Sequence, residues 1–320
     1  MGEQANPVTQ SWVVSPEHHE LRLDAFVRRC LPHLSRRQIE KAIRSKSFSV
    51  ASKASKKGDR LVSGDKLDFH GPASWLAAHP RPESELDVPV VYEDSSILIV
   101  NKPAGMPSHG FSARENGTLA NFLLARWPAL AHIGTSRWEP GLVHRIDRET
   151  SGLVLIAKTN AAFADLKFQF RHRQLKKIYW ALVWGIACAE GLISFPLAHD
   201  RRRRSRMRVV QRAARTKEKS WKAVTRYRVL GRSRDLSLLE VDMETGVTHQ
   251  IRAHLAAIGH PIVADALYGG ARSETFGLER HFLHARSLTF HHPDSAKILV
   301  VNTELPDDLG KLLERLEIKS

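Results

Sequence analysis

Residues 141–159, "GLVHRIDRETSGLVLIAKT", change character in the middle. The first half sets Asp147 among His144, Arg145 and Arg148 and ends on a small polar turn, Thr150-Ser151-Gly152. The second half, "GLVLIAKT", opens with an unbroken apolar run of strand length. A loop at the end of a rigid strand can project a side chain into a cleft. Asp147 therefore either balances local charge or is a reactive carboxylate that its cationic neighbours keep ionised and nucleophilic. Glu149 reads as an exposed turn acid.

Outward from this stretch the chain alternates irregularly between strands and helices. "VPVVYEDSSILIVNKP" (88–103) reads as two short strands around an Asp-Ser-Ser turn, and "KIYWALVWG", "DLSLLEVDME" and "FLHARSLTFHH" add further strands. A helix carrying Phe163, Leu166 and Phe170 follows the apolar run, with Asn160 as its cap. "THQIRAHLAAIG" (248–259) reads as a second helix, capped by Thr248 and stopped by Gly259. The irregular order predicts an α+β fold with a mixed, mostly antiparallel central sheet and flanking helices. In the second helix His249, Arg252 and Ala256 share a flank beside an apolar stripe of Ile251, Leu255 and Ile258. Arg252 sits in the first turns, where unpaired N–H groups also favour an anion, so it is either a surface arginine or the partner of a carboxylate from another segment.

The first 87 residues are built differently. Residues 1–17 read as a loosely ordered polar lead-in. Residues 18–72 form a small unit. Leu23, Phe26, Val27, Cys30 and Leu31 mark one helix face, and Ile39, Ala42 and Ile43 mark a second helix. Ser35 and Gln38 make a capping box there, with Leu34 as a staple against Ile39. Arg36, Arg37, Lys41 and Arg44 face outward from that helix, as either a solvated face or an RNA-binding one. Residues 73–87, rich in Pro, Ala and Ser, read as a linker to a second domain at 88–320.

With 42% hydrophobic residues in 320, the chain can build a real core, and its formal charge of +15 favours a polyanionic partner, nucleic acid above all. The densest cations lie in "RRRRSRMRVVQRAARTKEKSWK" (201–222), read as a solvated arm or an RNA contact. The longest apolar stretch, "YWALVWGIACA", is well short of the roughly 20 residues of a membrane span. With no signal-peptide layout and only Cys30 and Cys188, read as buried thiols, the chain is expected in the cytoplasm. Neither GxxxxGK[ST], GxGxxG, CxxC nor GxSxG occurs. His249 and His254 are five apart, off a shared helix face, so no metal site is expected.

Motifs taken together carry more than any one residue. "HRIDRETSGLVLIAKT", "KKIYWALVWG" and "HQIRAHLAAIGHPIVADALYG", with "NKPAGMPSH" and "LHARSLTF", resemble in order the motifs of the RluA-type pseudouridine synthases and span most of residues 88–305. The resemblance implies a catalytic cleft that converts uridine in RNA to its carbon-linked isomer without cofactor or metal. It implies Asp147 as the catalytic nucleophile, Tyr179 stacked on the uracil and also available as a base, and Arg252 paired with Asp147. His144, Arg145, Thr150, His249, Gln250 and Leu283 fall on the same motifs as substrate-binding positions, Arg145 being implied either to fill the space a flipped base leaves or to hold the flipped nucleotide. The N-terminal helical pair is similar to a small S-four-type α/β RNA-binding domain, which makes Arg36, Arg37, Lys41 and Arg44 RNA contacts. "SVASKASKKGD" replaces the usual VNGK-like turn of that domain, and Val247 stands where the synthases commonly have Arg. Ribosomal RNA is the expected substrate, with transfer RNA as the alternative, and the expected state is a monomer away from membranes. The reading from another class is a noncatalytic RNA-binding or ribosome-assembly protein.

Overall fold

The computed structural model describes residues 7–31, 34, 36–50, 53–72, 76, 79–110, 115–200, 203, 205–210, 219–270 and 274–318. The chain divides into two compact units, one built on residues up to Glu83 and the other on most residues from Ser84 onward.

The first unit holds β1 (Pro7–Val13), α1 (Leu23–Cys30), α2 (Arg36–Arg44), β2 (Phe48–Val50), β3 (Lys53–Ala54) and β4 (Lys66–Pro72). Its antiparallel sheet has the order β1-β4-β2-β3. Leu23, Phe26 and Val27 of α1 and Ile39, Ala42 and Ile43 of α2 bury against Phe48, Leu67 and Phe69. Those stripes follow the helical period of the sequence. The lead-in needs correction, because residues 7–13 form a full strand paired to β4 from Pro7↔Pro72 to Val13↔Lys66. Its polar Thr9-Gln10-Ser11 run resembles a loose terminus. An edge strand takes its hydrogen bonds from a distant partner and needs few apolar side chains of its own. Ser35, and with it the capping box, lies outside the described residues. Cys30 is half-buried, its thiol pushed up to about 11 by burial, and Cys188 is exposed, so the two are not both buried thiols.

The second unit holds β5 (Val90–Glu93), β6 (Ile97–Lys102), α3 (Leu119–Arg126), β7 (Ser151–Ala157), α4 (Asn160–Arg171), β8 (Lys176–Trp184), β9 (Glu190–Ile193), β10 (Leu197–His199), β11 (Met207–Val209), β12 (Thr225–Ser233), β13 (Leu236–Met243), α5 (Gln250–Ala257), β14 (Leu283–His291), β15 (Ile298–Asn302) and α6 (Asp307–Arg315). Nine strands make one sheet in the order β5-β6-β7-β14-β8-β13-β12-β9, with β15 also on β14. Every pairing is antiparallel except β7 with β14. The α+β reading with a mixed, mostly antiparallel sheet therefore holds.

Strand β7 explains its own unbroken apolar run. Leu153 and Leu155 enter the core under α4, while Val154 and Ile156 enter the larger core on the other face. A strand covered on both sides has no polar face to show. Gly152, with φ near +117°, lets β7 approach β14; a Cβ there would stand 2.3 Å from the Ala285 carbonyl oxygen. Two caps differ from expectation. Thr159, not Asn160, caps α4 by accepting the Ala162 N–H, and Asn160 instead bonds Gly134 N and the His132 carbonyl. His249, not Thr248, is the N-cap of α5, in a left-handed conformation at φ 54° and with no side-chain cap.

Candidate active site

Strand β7 and helix α5 bring their preceding loops together. Arg252 Nη1 donates to Asp147 Oδ2 at 2.9 Å, across 105 residues of sequence. The other edge of the same guanidinium is held by Asp265. Arg252 Nε donates to Oδ2 at 2.7 Å and Nη2 to Oδ1 at 2.9 Å, a fork-on-fork pair that fixes the plane of the arginine. The Asp265 side chain is fully buried and also accepts the N–H groups of Leu267 and Tyr268, both at 3.0 Å. Burial opposes its charge, but Arg252 and those amides outweigh that and hold its carboxyl below the usual range. Arg252 is thus positioned by Asp265 and presents one remaining edge to Asp147, whose side chain is 24% exposed.

The backbone around Asp147 is pinned on nearly every residue while the carboxylate is left projecting. His144 Nε2 accepts the Leu155 N–H, and Ser108 Oγ both donates to the Ile146 carbonyl and accepts the Ile146 N–H. Lys102, fully buried at the end of β6, sends its ammonium to the carbonyls of Pro103, Met106 and Arg148 at 2.7, 2.7 and 3.1 Å. Burial pulls that lysine down to about 7, with Glu149 and Asp147 opposing the fall. Arg280, clamped on Asp308 of α6, donates to the Glu149 carbonyl, and His281 meets the Thr150 hydroxyl at 2.8 Å. Rigid surroundings of this kind hold a reactive group without side-chain entropy to lose at the moment of reaction.

The other sequence-predicted residues divide into two sets. Arg145 stays at the site, spanning the two loops with Nη2 on Thr248 Oγ1 at 3.2 Å and Nη1 facing His109 Nε2 at 3.5 Å. His249 stands 3.9 Å from Asp147 Oδ2, beyond hydrogen-bond range. Its Nδ1 faces the Tyr268 hydroxyl at 3.2 Å, and burial lowers its affinity for a proton. Tyr179 lies on β8, buried, with its phenol raised first by burial and then by the charge of Asp147. That direction keeps the hydroxyl protonated.

Among the second set, Gln250 is spent inside the protein. Its amide donates to the Val224 carbonyl and to Thr225 Oγ1, and its oxygen accepts from Thr245 Oγ1 and Val247 N. His144 is buried, its ring lowered to about 3 by desolvation, and Leu283 is 4% exposed in the main core. Thr150 is bound to His281. All four are buried, Gln250 and Thr150 bonded within the protein and His144 keeping its Nδ1 without a hydrogen-bond partner. His254 is likewise a core residue, with Nδ1 on Thr225 Oγ1 and Nε2 on the Phe195 carbonyl.

Sequence reasoning missed Asp265, Tyr268 and Lys102. Asp265 and Tyr268 lie inside the quoted "HPIVADALYG", but nothing in a linear pattern says which acid an arginine 13 residues earlier will take. Tyr268 packs its ring 5.2 Å from the Arg252 guanidinium and anchors β11, accepting Met207 N–H and donating to the Met207 carbonyl. Part of the basic stretch is thereby a short hairpin, β10 with β11, and Arg206 lies over the Tyr268 ring at 4.9 Å. Residues 201, 202, 204 and 211–218 of it lie outside the described residues.

Comparison with known proteins points the same way as the geometry. Residues 96–257 match the family model for RNA pseudouridylate synthase. The chain is 35% identical over 311 residues to the ribosomal large subunit pseudouridine synthase D of Neisseria meningitidis, covering 93% of this chain and 79% of that protein. It is 41% identical to an uncharacterized RNA pseudouridine synthase of Chloroflexus aurantiacus, covering 95% and 93%. Among solved structures, the human RNA pseudouridylate synthase domain containing 4 matches with a TM-score of 0.56 and 26% identity over 72% of this chain and 94% of that one. The chain belongs to the RNA pseudouridine synthase family.

Proposed function

We propose that Asp147 is the nucleophile of this synthase, that Arg252 aims it, and that the substrate is a uridine of large-subunit ribosomal RNA. The observation that carries the catalytic part is the division of one arginine between two acids. Asp265 is saturated and buried, whereas Asp147 has one arginine N–H and an open side. The relative named for the large ribosomal subunit supports that class of RNA.

In this reading the target nucleotide leaves its stack, at a cost of about a few kcal/mol in a helix, and its ring packs against Tyr179. Asp147 attacks either the anomeric carbon or ring carbon six, and the bond from ring N1 to the anomeric carbon breaks. The uracil turns so that carbon five forms the new bond to the sugar, Asp147 is released, carbon five gives up its proton and N1 gains one. Atoms and electrons balance with no co-reactant. Arg145, bridging to Thr248 on the opposite loop, fills the place of the flipped base. Arg36, Arg37, Lys41 and Arg44, all exposed on α2, carry RNA as phosphate contacts of an S-four-like unit. The same reading has the protein acting as a monomer in the cytoplasm; among the described residues no helix is long and apolar enough to cross a membrane.

The test measures tritium release from RNA labelled at uracil carbon five, with large-subunit ribosomal RNA and transfer RNA in parallel. Release from the ribosomal RNA alone supports the reading. Release from transfer RNA alone contradicts the substrate class, and no release from total cellular RNA contradicts the function.

A further inference from the structure

Helix α4 carries a feature that the isomerisation does not use. Its outward stripe runs Ala161, Ala164, Phe168, His172, and Phe168 is 48% exposed. A single exposed apolar residue needs no explanation. This one is stacked. The His172 ring lies parallel to it, 3.9 Å between centroids and 28° between planes, and His172 Nδ1 meets the Phe168 carbonyl at 2.9 Å, which fixes the imidazole in that pose. Helical side chains lean toward the N-terminus, so the far face of Phe168 looks over Ala164, which is too short to cover it. Arg171 and Arg173 flank the pair, both exposed, Arg173 with its charge shared with Glu244 at 3.2 Å.

The helix that carries this pair follows strand β7 in the chain and is tied to two neighbouring segments. Strand β7 begins four residues after Asp147, and α4 follows it and packs against Leu153 and Leu155. Two contacts make that tie. Lys167 Nζ donates to the Val143 carbonyl at 2.7 Å, four residues before Asp147, and Arg173 holds Glu244, eight residues before Arg252. A flat ring with one open face, its second face already filled, between cations, has the chemistry of a base-stacking step.

We propose that the Phe168–His172 pair is a stacking platform for an unpaired nucleotide of the bound RNA, with Arg171 on the adjoining phosphate. This rests on the RNA pseudouridine synthase reading. A π-face accepts any base, so the platform tethers the strand without reading its sequence. Stacking is insensitive to salt, whereas the phosphate contact is not.

Equilibrium binding of full-length protein to a fluorescent oligouridine at low and moderate salt tests it. Phe168→Leu keeps an apolar side chain and removes the π-face. The expected result is a roughly tenfold rise in Kd, the size of one lost base stack, by the same factor at both salts. Phe168→Trp restores the affinity, and Arg171→Gln lowers the slope of log Kd against log salt. Circular dichroism melts of each variant verify that it is folded. Parental affinity in Phe168→Leu, or a loss in Phe168→Trp equal to that in Phe168→Leu, overturns the platform. Tritium release by the unmodified protein separates the two readings. If the parent is active and Phe168→Leu binds normally, only the platform fails; if the parent forms no pseudouridine, the function itself fails.

Discussion

Two carboxylates share Arg252, and their surroundings differ in nearly every respect. Asp265 lies in the turn after α5, fully buried, with four donors on its two oxygens. Asp147 lies in the loop before β7, a quarter exposed, with one arginine N–H on Oδ2. A carboxylate whose lone pairs are filled cannot attack anything without breaking its own supports. One that is aimed by a single bond and open on its other side can. The contrast teaches that charge pairing alone does not mark a reactive acid. What marks it is the unspent valence on a group whose partner is held elsewhere.

Stability should follow the side of Arg252 that is disturbed. The largest loss is expected for Asp265→Asn, which leaves a buried arginine edge uncompensated; about 3–5 kcal/mol of unfolding free energy, read from urea melts, is the scale for breaking such a pair. Activity falls with it because Arg252 loses its aim. Wild-type stability in that variant would show that Asp265 does not position the arginine. Next comes Tyr268→Phe, which strips two hydrogen bonds from Met207 and the contact to His249, at roughly 1–3 kcal/mol. An unchanged melt would place the β11 anchor in packing and not in the hydroxyl.

Acid provides a smaller and graded test. His144, His281 and His284 sit under the Asp147 loop with folded values lowered by burial to about 3, about 4 and about 3. An unfolded imidazole titrates near ~6.5. Between those values the unfolded chain binds more protons, so stability is full above about pH 6.5 and falls as the pH drops toward 4. His281→Gln, which retains a partner for Thr150, should flatten that limb of a plot of Tm against pH. An equally steep limb would assign the acid sensitivity to other groups.

How much of this was legible beforehand follows from the range of each interaction. The apolar run of β7, the flank of α5 and the pairing of Asp147 with Arg252 were within reach of motif and period. Strand β1 was not, because its partner β4 begins 53 residues after β1 ends and its own side chains are polar. His144 and Gln250 looked like substrate contacts because they adjoin Asp147 and Arg252 in sequence. In space they turn inward, His144 to Leu155 and Gln250 to the strand carrying Thr225. Adjacency in a motif does not say which way a side chain faces. Asp265 was hidden by the same limit: its role depends on a turn that returns the chain beneath α5.

The smallest expected change in stability belongs to the proposed nucleophile. Asp147→Asn removes one exposed edge of a pair whose arginine stays clamped, so unfolding free energy should move by no more than ~1 kcal/mol. Tritium release from ribosomal RNA under single-turnover conditions should fall by about a thousandfold or more, with RNA Kd within about twofold of the parent. Substantial release by that variant, folded and bound to RNA, would contradict Asp147 as the nucleophile.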